Sequence, residues 1–166
     1  MNKKIFVGID NGLNGGIVVI DENQNIIKKN IMPVIKGKKT QYNILEIINT
    51  FKYIEKLNKK VFVGLEKAHV RPVSGKRACF MTGFGYGIMQ GLIEGFKFSY
   101  EIIQPKIWQK EILQGINTGD TKKDSIMFCK RKWPNEDWTP TERSTKDHDG
   151  LCDAACMSVY CYRLNR

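Results

Sequence analysis

The chain has 166 residues, enough for one domain to bury a core without disulfide or metal staples. Lys and Arg number 27 against 17 Asp and Glu, a net charge of +10 that points to a polyanionic partner, nucleic acid or an anionic membrane, or reflects only a Lys-rich composition. No run approaches the roughly 20 apolar residues of a membrane span, and no secretory h-region precedes the first strand-like segment, so the chain is expected to stay in the compartment where it is made.

In chain order, Ile5–Asp10, Gly16–Ile20 and Ile26–Met32 read as three strands, separated by a Gly/Asn turn and a polar turn and stopped by Pro33. Two tight turns joining three strands predict an antiparallel meander. Ile44, Ile47, Ile48, Phe51 and Ile54 recur at helical spacing and predict a helix from about Tyr42 to Leu57. Val61–Leu65 is a strand ending at Glu66. A Gly/Lys-rich loop then leads to a helix over Met81–Glu94, a strand over Phe98–Ile103 and a helix over Pro105–Leu113 with Pro in its first turn. Lys122–Lys132 is a basic helix, Trp133–Lys146 a polar loop, and Asp149–Leu164 a last helix. Strands alternating with helices after a meander predict one mixed five-stranded sheet covered on both faces, an α/β architecture in a single domain.

The five cysteines, without a secretory leader, read as reduced thiols. His148, Cys152 and Cys156 recur every four residues, but three ligands on one straight helical face close a zinc tetrahedron poorly, so buried helical thiols are the preferred reading. Gly75-Lys76 is not a phosphate-binding loop: its preceding glycine and following Ser or Thr are missing, and no nucleotide cofactor is expected.

Four acids stand out. Asp10 and Glu66 end two apolar strands; if those strands are adjacent and in register, both carboxylates emerge at one sheet edge. Asp149 and Asp153, four apart on the last helix, share a face, where like charges repel unless a cation lies between them. Three of them also have a bland reading: Asp10 as a turn cap, Glu66 as a strand end reaching water, Asp149 as a helix cap. Asp153, set among Leu151, Cys152, Ala154 and Ala155, has no such alternative. Clustered carboxylates suit hard cations, and two Mg²⁺ ions, or Mn²⁺, at such a site hydrolyse phosphodiesters.

Three segments, Ile5–Gly16 (IFVGIDNGLNGG), Val63–Glu66 (VGLE) and His148–Ala154 (HDGLCDA), resemble in order the RuvC family of Holliday junction resolvases, above all its phage, poxvirus and chloroplast members. The resemblance implies an RNase H-like fold, metal ligation by Asp10, Glu66 and Asp153, and a fourth group one turn earlier on the last helix, where Asp149 and His148 compete. Asn11 stands where that family often has Pro, with little consequence expected. The substrate implied is a four-way DNA junction, whose two equivalent scissile sites match a homodimer. A small chain of this composition suits a phage.

Arg71, Lys76 and Arg77 interleave with Phe80 and Phe84, a pattern of phosphate-holding cations and base-stacking rings, with Phe80 or Phe84 as a wedge at the junction centre and core packing as the alternative. Lys122 and Lys123 open a helix and are candidate phosphate contacts, as are Lys130, Arg131 and Lys132; a solvated charged face is the alternative. Gly83, Gly87, Gly91 and Gly95 form a row that suits close helix packing, across a dimer or within one subunit. Competing readings are an RNase H-fold nuclease acting on RNA or RNA–DNA hybrid, a fragment of a sugar kinase or actin-type ATPase, for which the chain is too short, and a non-catalytic DNA-binding module.

Overall fold

The computed structural model describes residues 3–69 and 75–166. Its elements are β1 (Lys4–Asp10), β2 (Gly16–Asp21), β3 (Ile26–Ile31), β4 (Val34–Ile35), β5 (Gln41–Tyr42), α1 (Ile44–Lys56), β6 (Lys60–Glu66), α2 (Lys76–Gly95), β7 (Ser99–Ile103), α3 (Pro105–Ile112), α4 (Thr121–Lys132) and α5 (Asp149–Asn165). Five strands form one mixed sheet in the order β3-β2-β1-β6-β7, with β1–β3 an antiparallel meander and β6 and β7 parallel to β1. No described helix is long and apolar enough to cross a membrane.

Side chains alternate across the sheet, and helices bury both faces. Ile5, Val7 and Ile9 of β1 face a core built with Ile47, Phe51 and Ile54 of α1 and Met81, Met89 and Ile93 of α2. Phe6 faces the opposite core, where Trp108 of α3, Cys129 of α4 and most of α5 meet. The hydrophobic spacing of α1 and the apolar length of α5 are thus core-facing stripes.

Two close approaches set where α5 lies. A Cβ on Gly8, in the middle of β1, would collide with the main chain of Ala154 and Ser158. A Cβ on Gly150, in the first turn of α5, would collide with the main chain of Asn14 and Gly15. Glycine at both places lets α5 rest on the backbone of β1 and on the β1–β2 turn.

Some boundaries differ from expectation. The helix anticipated at Met81 begins at Lys76, capped by Gly75. Lys76–Phe80 include no buried residue, so their first turn carries no apolar period although nothing in it opposes a helix. Tyr42 belongs not to α1, which Asn43 caps with a side-chain acceptor to the Glu46 N–H, but to the unanticipated β4–β5 ribbon, where it is buried. The loop after α4 is tied down by Trp138, which is buried and accepts the His148 N–H on its carbonyl at 2.8 Å. Cys129, Cys152, Cys156 and Cys161 are buried thiols outside any disulfide. The row Gly83, Gly87, Gly91 and Gly95 does not pack inside the subunit, since a Cβ at each would meet open space.

Candidate active site

The parallel pairing of β1 with β6 sets Ile9 opposite Leu65, so Asp10 and Glu66 leave adjacent strands at the same edge of the sheet. The α5 close approach brings Asp149 and Asp153 to that edge. The four carboxylates feel one another. Burial raises the Asp10 carboxyl, with Asp149 pushing the same way. Burial, then the charges of Asp10 and Asp153, push Glu66 up to about 8. Burial, then Asp10 and Asp149, push Asp153 up to about 7, against a lowering hydrogen bond from the buried Ser125. Asp149, the most exposed of the four, is also raised by burial, but Lys122, the Gly150 N–H and His148 together lower it overall.

An anionic cluster held partly protonated by burial, and then by mutual repulsion, is a set of hard oxygen donors short of positive charge, which fits a divalent cation such as Mg²⁺. The fit lies in donor type and shared field: no three His, Cys, Asp or Glu side chains among the described residues are drawn to one point at ligand distance. Cys152 and Cys156 are buried in the core, as expected of helical thiols.

Lys122 Nζ forms an ion pair with Asp149 Oδ2, supplying one fixed cation at the rim of the cluster. His148 caps α5: its Nδ1 accepts the Leu151 N–H at 3.0 Å, and burial lowers its pKa. The cap is therefore the histidine and not Asp149, which leaves the Asp149 carboxylate turned to Lys122 and the other acids. Asp10 also caps its turn, where Oδ1 accepts the Gly12 N–H at 3.0 Å.

Three residues join the site without having been anticipated there. Asn11 is 5% exposed, and its Nδ2 donates to the Glu66 carbonyl at 2.6 Å, tying the ends of β1 and β6 together. That overturns the expectation that Asn in place of Pro has little consequence: proline has no side-chain donor. Tyr42 Oη donates to the Asn11 carbonyl at 2.9 Å. Trp108 Nε1 donates to Glu66 Oε1 at 3.1 Å. None has a local signal, because each bond joins segments far apart in sequence.

The anticipated binding residues separate into groups. Arg71 lies outside the described residues. Lys76, Arg77, Phe80 and Phe84 lie on the first turns of α2, where Arg77 Nη2 donates to the Thr40 carbonyl at 3.2 Å. Phe80 and Phe84 are 67% and 42% exposed and stack on each other with centroids 5.8 Å apart, so neither is a core ring. Phe84 also leans on Tyr42 at 6.2 Å, which links the exposed stack to the acid edge. Lys123 is exposed; Lys130 pairs with Asp147 at 2.8 Å, and Lys132 lies 5.3 Å from the Trp133 ring. Beside the end of β6, Lys67, His69, Gln104, Lys106 and Gln109 line a cavity of about 580 Å³.

The raised carboxyls carry a pH consequence. Glu66 and Asp153 ionise at 4.5 and 3.8 in the unfolded chain but only at about 8 and about 7 in the fold. Between these limits the unfolded chain has released protons that the folded chain keeps. Their contribution to stability is full below about pH 4 and is lost as pH rises to 8. In chelator, unfolding free energy should fall by several kcal/mol from pH 5 to pH 8, since each proton that the fold keeps is worth about 1.4 kcal/mol per pH unit. Urea unfolding at the two pH values measures it; a flat profile would mean that burial and the neighbouring acids do not raise these carboxyls.

No protein-family model matches the chain, and no curated protein matches it. Solved structures do. Thermus thermophilus RuvC in complex with a Holliday junction substrate superposes with a TM-score of 0.60 at 11% identity, covering 98% of this chain and 96% of that one. Thermus thermophilus RuvC alone gives 0.58 at 12%, with 96% of each chain covered. The yeast mitochondrial Holliday junction resolvase Ydc2 gives 0.57 at 12%, covering 95% of this chain and 77% of that one. With its meander, parallel strands and helices on both faces, the chain has the RNase H-like fold of the RuvC-type resolvases.

Proposed function

We propose that the protein is a divalent-metal-dependent endonuclease that resolves four-way DNA junctions. The observation that carries this is the gathering of Asp10, Glu66, Asp149 and Asp153, from two adjacent strands and one helix, at one edge of a fold shared with resolvases. Unused acids at such an edge would only repel DNA from an otherwise basic surface.

In this reading the four carboxylates hold two Mg²⁺ ions, with Mn²⁺ as a substitute. Bound there, the ions would supply the Lewis acidity that phosphodiester hydrolysis to 5′-phosphate and 3′-hydroxyl ends requires. The chain's own residues supply the rest. Asn11 and Tyr42 fix the relation between the strand ends that carry Asp10 and Glu66. Lys122 neutralises Asp149 and lowers the repulsion an incoming phosphate meets. Lys76 and Arg77 hold backbone phosphates, and the exposed Phe80–Phe84 stack offers a flat face to unpaired bases at the junction centre. Lys67 and Lys106 beside the 580 Å³ cavity offer further phosphate contacts.

The working unit in this reading is a homodimer, whose two-fold axis presents one site to each of two opposite strands. The exposed glycine row of α2 supports it, since bare backbone with open space above it admits a second helix closely.

The test is cleavage of a synthetic four-way junction beside matched linear duplex and RNA–DNA hybrid, with and without Mg²⁺. Paired, symmetric nicks in the junction alone, dependent on the metal, are expected. Cleavage of the hybrid instead would assign a different RNase H-fold nuclease. Junction binding without any cutting would make the carboxylates structural.

A further inference from the structure

The chain has three tryptophans, and each buried indole N–H needs an acceptor or leaves a cost unmet. Trp133 Nε1 donates to the main-chain carbonyl of Gln24 at 2.8 Å, an ordinary structural solution. Trp138 Nε1 is buried with no partner among the described residues. Trp108 differs from both: fully buried, it donates to a carboxylate oxygen of the acid cluster. The topology dictates this meeting. Glu66 pairs with Ile103 across β6 and β7, and the Lys67 N–H donates to the Ile103 carbonyl at 2.8 Å. α3 starts two residues later at Pro105, which brings its first turn beside the end of β6. Helical side chains lean back toward the N-terminus, so residue 108 reaches toward Glu66.

We propose that Trp108 is a positioning residue of the nuclease site, holding Glu66 Oε1 so that the carboxylate keeps one orientation and presents its other oxygen for metal ligation. The inference rests on the metal-dependent reading above and deepens it. Glu66 is held twice and independently: Asn11 grips its main-chain carbonyl at 2.6 Å, and Trp108 grips its side chain at 3.1 Å. Oε2 has no hydrogen-bond partner among the described residues. Losing the indole N–H therefore frees rotation of the carboxylate while leaving the strand end in place. Groups that orient a metal ligand from behind typically change metal affinity or activity by about 10–100-fold when removed.

Trp108→Phe removes the donor and keeps an aromatic ring, and Trp133→Phe is the matched control, whose indole N–H donates to a main-chain carbonyl away from the acids. For Trp108→Phe the expected results are Mn²⁺ binding weakened about tenfold, followed by electron paramagnetic resonance on the DNA-free protein, and junction kcat lowered about 10–100-fold with KM unchanged. Trp133→Phe should lower thermal stability alone. Should Trp108→Phe fail to fold, 3-benzothienylalanine at position 108 replaces the N–H by sulfur at nearly the same volume. Glu66→Gln separates the two claims. If it binds Mn²⁺ like the wild type, the metal reading fails and the role of Trp108 falls with it. If Glu66→Gln loses Mn²⁺ but the position-108 variants bind and cleave like the wild type, the positioning role alone is overturned. Adding Trp108→Phe to Glu66→Gln should bring no further loss of metal affinity, since the two act through one carboxylate.

Discussion

Replacing Asp10 by Asn is expected to lower the single-turnover rate of junction cleavage by about 10³-fold or more while leaving junction affinity intact or slightly raised. Asparagine keeps the shape and can still accept the Gly12 N–H at its amide oxygen, so the β1–β2 turn should hold. What disappears is a negative charge at the centre of a buried set. Asp10 is the common member in the fields that raise both Glu66 and Asp153. The size follows from losing a charged ligand of the ions that would stabilise the transition state, where removal of even one neutral stabilising donor costs about 10²–10³-fold. Affinity should not suffer, because a carboxylate beside a phosphate is a repulsion removed. Cleavage of junction pre-bound in Ca²⁺ and started with Mg²⁺ measures the rate, and gel shift in Ca²⁺ measures the binding. A variant that cuts at the normal rate would take Asp10 out of the reaction and dissolve the four-acid site.

Gly8→Val should unfold the protein or destabilise it by more than about 3 kcal/mol. Overpacking a core usually costs about 1–3 kcal/mol because side chains yield. Here the obstruction is the main chain of Ala154 and Ser158 on α5, which cannot yield without lifting the whole helix from β1. Whatever fraction remained folded would carry Asp149 and Asp153 away from Asp10 and lose cleavage as well. Gly37, where a Cβ meets open space, provides the comparison: Gly37→Val should change stability little. Urea midpoints of the two variants decide the matter, and a mild effect at Gly8 would mean that α5 is less closely seated than described.

The parts of the molecule that could be read from the sequence are those whose pattern is local. The meander follows from alternation and turn chemistry at residues 5–32, and α5 from an apolar stretch with two acids spaced one turn apart. Asp10 and Glu66 stand out because each ends an apolar strand. The beginning of α2 was hidden because Lys76–Phe80 turn to solvent and leave no periodic trace. The β4–β5 ribbon was hidden because two-residue strands have no period at all. Asn11 was visible but undervalued: next to Asp10 it looks like a turn residue, and its bond to Glu66 crosses 55 positions. Trp108 looks like any core tryptophan until Ile103 and Glu66 are known to be neighbours. Bonds that depend on strand order are written in the topology, and a single sequence specifies topology only through the cooperation of all its elements.

The seating of α5 on β1 also imposes an order in time. During synthesis Asp10 emerges first, and at about 5–20 residues per second Asp153 follows on the order of ten seconds later. Until α5 arrives, the sheet lacks the helix that covers one of its faces, and the acid edge holds only Asp10 and Glu66. A nascent chain, or a messenger truncated before Asp149, yields half a set of carboxylates on an open sheet. Such fragments should be prone to proteolysis, and on the proposed reading only chains translated through α5 would cut DNA.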